Sequence, residues 1–566
     1  MRPAPIGSKR ARASGLVLVL LAAGLHAESA RADSADLVEA GRRLYQEGVL
    51  PDGTALVGAR PEGLVFEGER AACATCHRRS GMGSVEGTGD QAILVPPLAG
   101  PVLFTPARFA EHELDEAHHY VPNATWRRAM KRRAYDERSL SSALREGRNP
   151  MGEPLEAPMP RYTLDQRSLN ALTAYLRTLG STADAGAEGD EVHVGLVVAA
   201  DADPADTRVV LDVVRAWMKA PVRYGGRPTG YPKPIRLHEW RLSGPAESWS
   251  KQLEDAYQRQ AVFALVSGMG RAEWRPVQEF CERRRVPCVL PSIDVAPDEV
   301  GYYGMYFSRG VELEARILAE HLASKPLTST VIQIYGDAAG REAARELSRT
   351  LRQSGIEART RRFRAIAPHM SLAGIDEDDV IVIWLRSEAL ALLAGEAPSG
   401  PVAERIYLSA MLATPQHVTL PERWRNRVRF VSLDDEVSVQ QEIARLRLSR
   451  WLDKRGIGSN GDPRVQADAY AAGYLFSAAL ARITQQEVRR PPVPLTGEHV
   501  LEELETLVSR RADGRDVIDE DLHVAHYGRM SLGPNQRIAT RGGSIMRLAG
   551  PESGRLIRVS DRITPR

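Results

Sequence analysis

The pentapeptide Cys73-Ala74-Thr75-Cys76-His77 constrains this chain more than any other feature of its sequence. Two cysteines three positions apart lie on one face of a helical turn, so both thiols can reach the vinyl groups of a single porphyrin. The next residue is then free to direct its imidazole at the iron. The spacing predicts one covalently bound haem c, held by Cys73 and Cys76, with His77 as the proximal ligand of the iron.

A pair of cysteines in this spacing is also compatible with two other sites. A zinc site needs a second pair of ligands nearby, and the sequence around Cys73 supplies none. A redox-active dithiol of the thioredoxin type needs a surrounding βαβ pattern, which is also missing. The adjoining His77 therefore favours haem.

The first 32 residues have the pattern of a secretory signal peptide. Basic residues precede the apolar run 15–25, and small residues, Ala30 and Ala32, follow it at a spacing that suits cleavage. The alternative is an uncleaved membrane anchor, but the run is short for a span. No later run of about 18 apolar residues occurs. We therefore expect a periplasmic mature chain with no transmembrane segment.

The chain has four cysteines, and two remain after the haem motif. These two, Cys281 and Cys288, stand seven positions apart. In an oxidising compartment an even remaining pair predicts a disulfide, with two buried thiols as the alternative.

The second axial ligand decides what a bound haem can do. A methionine closes the iron and favours electron transfer, whereas an open position favours ligand chemistry. The candidates are Met82, Met130, Met151 and Met159. Met82 follows His77 too closely to reach the opposite haem face, and the prolines on both sides of Met159 stiffen its loop. Met159 is the predicted ligand; Met151, a histidine or no ligand are the alternatives.

Two charged segments of the first 180 residues can each be interpreted as a solvated surface or as a functional site. The segment that contains His112, His118 and His119 reads as a solvated acidic stretch, with a bis-histidine or metal site as the alternative. The basic run Arg127–Arg133 reads as a solvated helical face, or as a docking patch for an acidic redox partner.

The chain divides into two parts of different pattern. With 566 residues it is too long for one core. Residues 181–190 are small and polar and read as a linker. Helical spacing before them predicts helices at 35–45, 139–146 and 164–179. After the linker, short apolar strands alternate with helices from residue 192 onward, which predicts parallel sheets.

Residues 35–180 resemble a class I cytochrome c domain. The matching pieces are Gly41-Arg-Arg-Leu-Tyr45, the haem motif, Pro96-Pro-Leu-Ala-Gly100, Leu144-Arg-Glu-Gly147 and Met159-Pro-Arg-Tyr162. The resemblance implies a small all-α domain, with His77 and Met159 as axial ligands. The long stretch between the first helix and Cys73 departs from the family pattern.

Residues 191–566 resemble a type 1 periplasmic binding protein of the branched-chain amino-acid receptor class. The likeness rests on pattern, such as Val194-Gly-Leu-Val-Val198 and Val331-Ile-Gln-Ile-Tyr-Gly336, and implies a two-lobed α/β fold. Ligands of open α/β sheets bind beyond the carboxyl ends of the strands. The residues predicted to lie in this ligand cleft are Ser267, Ser308, Arg309, Trp384, Arg386, Tyr407 and Ser409.

A segment near the C-terminus, residues 531–537, suggests the kind of redox partner. Ser531-Leu-Gly-Pro-Asn-Gln-Arg537 resembles a segment of binding-protein-like chains associated with quinoprotein (PQQ-dependent) alcohol oxidation. This resemblance implies a dehydrogenase as redox partner.

The near balance of 75 Lys+Arg against 73 Asp+Glu does not indicate a nucleic-acid-binding protein.

The haem motif, the signal peptide and the resemblances together favour a periplasmic electron carrier without catalytic residues. It would pass electrons toward the respiratory chain through a further cytochrome or an oxidase. A second domain would recognise a partner or a small organic ligand. The alternatives are a solute receptor or sensor with an accessory haem and, because no convincing acid–base pair is present, less favourably a haem enzyme.

Overall fold

The computed structural model describes residues 34–86, 93–107, 132–155, 157–219, 223–224, 227–228, 233–324, 329–395, 405–418, 420–434, 439–458, 461–487, 493–509, 530–534, 536–550 and 553–565. The chain forms two compact units. The first comprises Met1–Ala183 with Gln486–His499, and the second Asp184–Gln485 with Val500–Arg566. The boundary at 183 lies inside the predicted linker. The return of 486–499 to the first unit was not predicted, because no local pattern marks a long-range contact.

Within its described residues, the first unit contains five α-helices. They span residues 34–47, Ala74–His77, Gly100–Leu103, Glu137–Arg145 and Gln166–Thr178. The carboxylates of Asp136 and Asp165 cap the last two, each accepting a bond from the backbone N–H three residues on. A Cβ on Gly41 would lie 2.0 Å from the carbonyl oxygen of Ala171. The first and last helices therefore pack backbone to backbone, and only glycine fits at this position.

The first unit also contains five short strands. They are β1 (Val57–Ala59), β2 (Val65–Glu67), β3 (Ser84–Glu86), β4 (Ile93–Val95) and β5 (Arg161–Tyr162). β1 pairs antiparallel with β2 and β5, and β3 with β4. The expectation of an all-α domain was therefore wrong. Strands of two or three residues carry no readable period, and β5 is held by pairing with a segment about a hundred positions earlier.

A first parallel sheet organises one lobe of the second unit. Its order is β13-β11-β6-β10-β12-β14, with β9 along β6. The strands are β6 (Val192–Val198), β9 (Ile235–Arg241), β10 (Ala264–Val266), β11 (Met269–Gly270), β12 (Cys288–Val289), β13 (Ser292–Ile293) and β14 (Gly304–Met305). The helices between them are Pro204–Met218, Trp249–Arg259 and Arg275–Arg284, and a small hairpin joins β7 (Arg223–Tyr224) to β8 (Arg227–Pro228).

A second sheet, β16-β15-β17-β18-β19-β20-β21, organises the other lobe. Its strands are β15 (Val331–Tyr335), β16 (Ala358–Arg362), β17 (Val380–Trp384), β18 (Arg405–Ser409), β19 (Val428–Ser432), β20 (Ser544–Gly550) and β21 (Ser553–Arg558). The first five are parallel, and the last two are antiparallel. Helices of this unit are Val311–Ala323, Ala338–Gln353, Ser387–Gly395, Ala410–Ala413, Glu422–Arg425, Val439–Asp453, Pro463–Glu487 and Gly497–Ser509.

Two sheets with intervening helices confirm the two-lobed α/β fold expected of the second part. Buried apolar strands such as β6 and β17 were read correctly from their sequences. β9 was missed because charged residues alternate along it. Of the described helices, none is long and apolar enough to cross a membrane.

Candidate functional site

The first unit encloses a cavity of about 440 Å³ beside the pentapeptide. Cys73, Cys76, His77 and Met159 all line it, and most of the remaining wall is apolar. The four residues predicted to hold haem therefore come together around one space, although Met159 stands far along the chain from the other three.

The short helix Ala74–His77 presents the motif to this cavity. His77 is buried, and its Nδ1 lies 2.8 Å from the carbonyl oxygen of Pro96. A bond donated from Nδ1 to this acceptor leaves Nε2 as the nitrogen with a free lone pair. Burial lowers the pKa of His77 to about 4, so the imidazole is neutral at ordinary pH. A neutral, oriented imidazole is what iron ligation requires.

Neither cysteine of the motif forms a disulfide in the structure. Burial raises the pKa of Cys73 to about 12, which keeps this thiol protonated. Both face the same cavity from one helical turn, as attachment to a single porphyrin demands.

The loop of Met159 is held by its own neighbours. Arg161 donates from Nη1 to the carbonyl oxygen of Met159 (2.7 Å) and from Nη2 to that of Leu155 (3.0 Å). The next residue, Tyr162, is buried and donates its hydroxyl to the carbonyl oxygen of Ala71 (3.1 Å), just before the haem motif. The loop is thereby fixed against the segment that carries Cys73.

The alternative methionines are placed less favourably. Met151 is 47% exposed and does not line the cavity. Met82 packs instead against the cluster of Ala99, Val102 and Val493. Met130 lies outside the described residues, as do His112, His118 and His119.

The predicted solvated basic face is contradicted at Arg132. This side chain lines the cavity and donates to the carbonyl oxygens of Val102 (2.7 Å), Leu103 (3.0 Å) and Thr105 (3.2 Å). Its contacts are those of a structural residue at the end of a helix. Arg127–131 lie outside the described residues.

The residues present fit a haem. The cavity is mostly apolar, and it is lined by the thiols of Cys73 and Cys76 and the imidazole of His77, which follow one another in the order of a haem c motif. The thioether of Met159 lines the same cavity. Zinc fits less well, because the described residues contain no group of three or more His, Cys, Asp or Glu arranged to hold a metal ion.

Most residues predicted for the ligand cleft of the second unit are buried structural groups. Trp384 is fully buried and donates from Nε1 to Gln333 Oε1 (3.0 Å). Tyr407 is buried in β18 with its ring edge-on to that of His321. Ser409 caps the helix Ala410–Ala413. These side chains belong to the lobe interior.

The other predicted cleft residues lie at loops beyond the strands. Ser267 has a left-handed backbone (φ 58°), and its buried hydroxyl meets no partner within the described chain. Ser308 accepts a bond from the backbone N–H of Gly310 (2.9 Å). Arg309 Nη2 lies 3.4 Å from the carbonyl oxygen of Asp298.

Arg386 is placed at the strand ends as predicted, but its charge is already matched. It donates from Nη2 to Asp294 (2.6 Å) and from Nε to Asp337 (2.7 Å). Asp294 also accepts from Arg464 Nη2 (3.1 Å). Asp294 follows β13 of one lobe and Arg386 follows β17 of the other, so these ion pairs, which we call the interlobe latch, join the lobes. Both carboxylates raise the pKa of Arg386, against the opposing effect of burial.

A cavity of about 350 Å³ lies beside the latch, at the carboxyl ends of β18 and β19. Arg464 lines it together with Glu314, Met411, Asp434 and Arg445. None of the seven predicted cleft residues does. This cavity lies at the edge of the sheet where the strand ends predict a cleft, and side chains of the helices that begin at Val439 and Pro463 complete its wall. The seven cleft residues stay a prediction.

The candidate disulfide pair is adjacent but unbonded in the structure. Cys281 and Cys288 are both buried, free thiols. Burial, a hydrogen bond with Cys288 and the proximity of this second thiol raise the pKa of Cys281. The disulfide stays a prediction.

The class defined by the second unit is a two-lobed α/β protein with a cavity at the carboxyl ends of parallel strands. No protein-family model and no curated protein sequence matches the chain. Solved structures are similar to it over about two thirds of its length. They include a fatty acid ABC transporter substrate-binding protein from Thermomonospora curvata (14% identity, TM-score 0.49, covering 68% of this chain and 95% of that one).

Two further similar structures are a branched chain amino acid ABC transporter from Thermus thermophilus with bound valine and a substrate-binding periplasmic protein from Ralstonia solanacearum. The first has 13% identity and a TM-score of 0.48 and covers 66% of this chain and 97% of that one. The second has 17% identity and a TM-score of 0.46 and covers 65% and 100%. Because the TM-scores lie below 0.5, the classification rests on the sheet topology.

Proposed function

We propose that this chain is a periplasmic electron carrier with one haem c, attached through Cys73 and Cys76 and ligated by His77 and Met159. The observation that carries the proposal is the shared cavity, which brings three residues of the motif and a distant methionine to one apolar chamber. Bound haem supplies one-electron chemistry: one electron is taken from a donor, and the same electron is passed to an acceptor.

The protein's own residues set the conditions for this exchange. Pro96 fixes the orientation of the His77 ring, and Arg161 and Tyr162 hold the Met159 loop. The apolar wall excludes water from the iron. A closed, rigid site of this kind suits electron transfer, because little reorganisation accompanies a change of oxidation state.

The partners follow from the sequence context. A quinoprotein dehydrogenase is the proposed donor, on the resemblance of residues 531–537, and a further cytochrome or an oxidase is the proposed acceptor. In the structure this tail belongs to one lobe of the second unit, where Tyr306 donates its backbone N–H to the carbonyl oxygen of Arg537 (2.9 Å). We assign partner recognition to this unit.

The haem assignment is tested by expression with a c-type haem attachment system. We expect one haem per chain that survives denaturation, and the absorption of a methionine–iron bond in the oxidised protein. Met159→Ala should abolish this absorption and admit carbon monoxide or cyanide, whereas Met151→Ala should behave as wild type. A wild-type protein without covalent haem, or with rapid carbon monoxide binding, would contradict the proposal.

A solute receptor is the second candidate function. The cavity of about 350 Å³ at the ends of β18 and β19 favours it, since ligands of α/β sheets bind at this edge. Thermal shift measurements against alcohols, aldehydes, carboxylates and amino acids test it. A shift that Arg445→Gln removes supports a solute site, and no shift across the panel argues against one.

A further inference from the structure

Arg60 occupies the insertion that separates the first helix from the haem motif. It lies at the turn between β1 and β2, where its backbone N–H donates to the carbonyl oxygen of Leu64 (2.8 Å). Its own carbonyl accepts from Gly63 (2.9 Å), whose φ of 88° suits glycine. The backbone that carries Arg60 is thus held in place at both ends of the turn.

The side chain of Arg60 is directed to the haem cavity. It lines the cavity, and its guanidinium carbon lies 4.8 Å from the centre of the Phe66 ring, which lines the cavity as well. The two contacts restrict the guanidinium to the wall of the chamber.

The guanidinium has no anionic partner in the described part of the protein. Nε is buried and makes no hydrogen bond there. A charged group taken out of water without a counter-ion is costly, so native proteins supply a partner for it. Among the described residues, no Asp or Glu lines the cavity.

The other arginines of the cavity wall differ from Arg60. Arg132 already donates to four backbone carbonyls, and Arg70 is exposed to solvent. Arg60 is half-buried and combines a buried donor that lacks an acceptor in the described chain with a held backbone. A ligand of the cavity that carries an anionic group would supply this acceptor.

We propose that Arg60 binds a propionate carboxylate of the haem, which makes the β1–β2 insertion part of the cofactor site. This inference rests on the proposed function. A guanidinium presents a planar fork that matches a carboxylate, and a positive charge near the haem stabilises the ferrous over the ferric form. Arg60 is thus a residue that sets the reduction potential, and it acts at the periphery of the haem.

The experiment compares three variants of the full-length holoprotein. Arg60→Gln removes the charge, and Arg60→Lys retains it without the fork. Arg177→Gln is the matched control, because Arg177 lies over Phe104 (4.5 Å) in the same unit but does not line the cavity. The midpoint potential and the resonance Raman bending mode of the propionates are measured, with haem content and methionine–iron absorption as checks.

We expect a negative shift of the midpoint potential in Arg60→Gln, a smaller shift in Arg60→Lys and none in Arg177→Gln. The propionate mode should change in both Arg60 variants. Unchanged potential and mode in a fully loaded Arg60→Gln protein would overturn the inference. If Arg60→Gln accumulates without haem, the loaded Arg60→Lys protein is measured instead. An unchanged propionate mode in that variant would overturn the inference. Wild-type protein without haem would instead refute the proposed function.

Discussion

The buried carboxyl of Glu314 is a single group whose protonation should make the stability of the second unit depend on pH. Glu314 is fully buried, accepts a hydrogen bond from the backbone N–H of Met411 (3.1 Å) and is hydrogen-bonded to the Ser409 hydroxyl. Burial outweighs these donors and raises its pKa to about 8. The group lines the cavity of the second unit, so its protonation alters the charge that a solute or partner meets there.

The stability of the second unit should therefore depend on pH through Glu314. The folded pKa lies above the unfolded one, so the folded state binds more protons between them. The contribution of this group is fully present below about pH 4.5 and is lost as pH rises through about 8, by up to roughly 5 kcal/mol. Denaturant unfolding of wild type and Glu314→Gln measures it.

Glu314→Gln should flatten this part of the pH profile. Glu299→Gln serves as the control, since Glu299 is exposed, and it should keep the wild-type slope. Equal slopes in wild type and Glu314→Gln would show that the buried carboxyl does not titrate in this range.

At the scale of residues, the sequence predicts a haem site where chemistry is tied to spacing. The motif alone predicts Cys73, Cys76 and His77, and the flanking prolines favour Met159; the structure brings the four residues to one cavity, and haem binding itself stays a prediction. Arg60 escaped notice because an arginine in a loop is ordinarily solvated. Its significance depends on the burial of Nε, which no sequence pattern reports.

At the scale of elements, the three-stranded sheet of the first unit supports the Met159 loop. β5 begins two residues after Met159, and its partner is β1 of the insertion, with Gly58 opposite Tyr162. A Cβ on Gly58 would lie 2.8 Å from Tyr162 Cε1 and 3.3 Å from Pro160 Cβ. The inserted hairpin thus sets the position of the residues that immediately follow the methionine.

Gly58→Ala should displace Tyr162 and Pro160 and, under the proposed haem ligation, weaken the bond of Met159 to iron. We expect a loss of about 1–3 kcal/mol in the stability of the first unit and reduced methionine–iron absorption in the oxidised holoprotein. Gly189→Ala is the matched control, because a Cβ there meets nothing within 4 Å. Full methionine–iron absorption in Gly58→Ala would show that the hairpin does not position the loop.

The helices predicted at 35–45, 139–146 and 164–179 lie within a few residues of those observed, because burial imposes a period on their sequences. The short strands of the first unit were not predicted. β1 pairs with β5 through residues about a hundred positions apart, such as Gly58 and Tyr162, and a linear pattern contains no trace of that pairing. The hairpin of β1 and β2 is local, but its strands are only three residues long.

At the scale of the whole molecule, the interlobe latch determines how freely the two lobes of the second unit separate. Asp294 is 4% exposed and serves two arginines. Arg386 was predicted to lie in the ligand cleft, and in the structure its guanidinium binds carboxylates of its own chain. The protein thus holds its lobes together with internal charges at an edge where solute-binding proteins bind their ligands.

Asp294→Asn should release this latch. The substitution leaves Arg386 and Arg464 without a shared counter-ion, and we expect the second unit to lose about 3–5 kcal/mol of its free energy of unfolding. Small-angle scattering should show a wider distribution of conformations. Asp255→Asn, which removes an exposed ion pair with Lys251, should cost less than about 1 kcal/mol. Equal effects of the two substitutions would argue against the latch.

The return of residues 486–499 to the first unit has a consequence for the maturation of the protein. Val493 from this segment is buried against Ala99 and Val102, close to the haem motif in sequence. Under the proposed function the chain is exported from its N-terminus, so the haem motif would reach the periplasm long before this segment does. Haem attachment would then act on a chain whose first unit is still incomplete, and Val493 would pack against Ala99 and Val102 only after the cofactor is bonded.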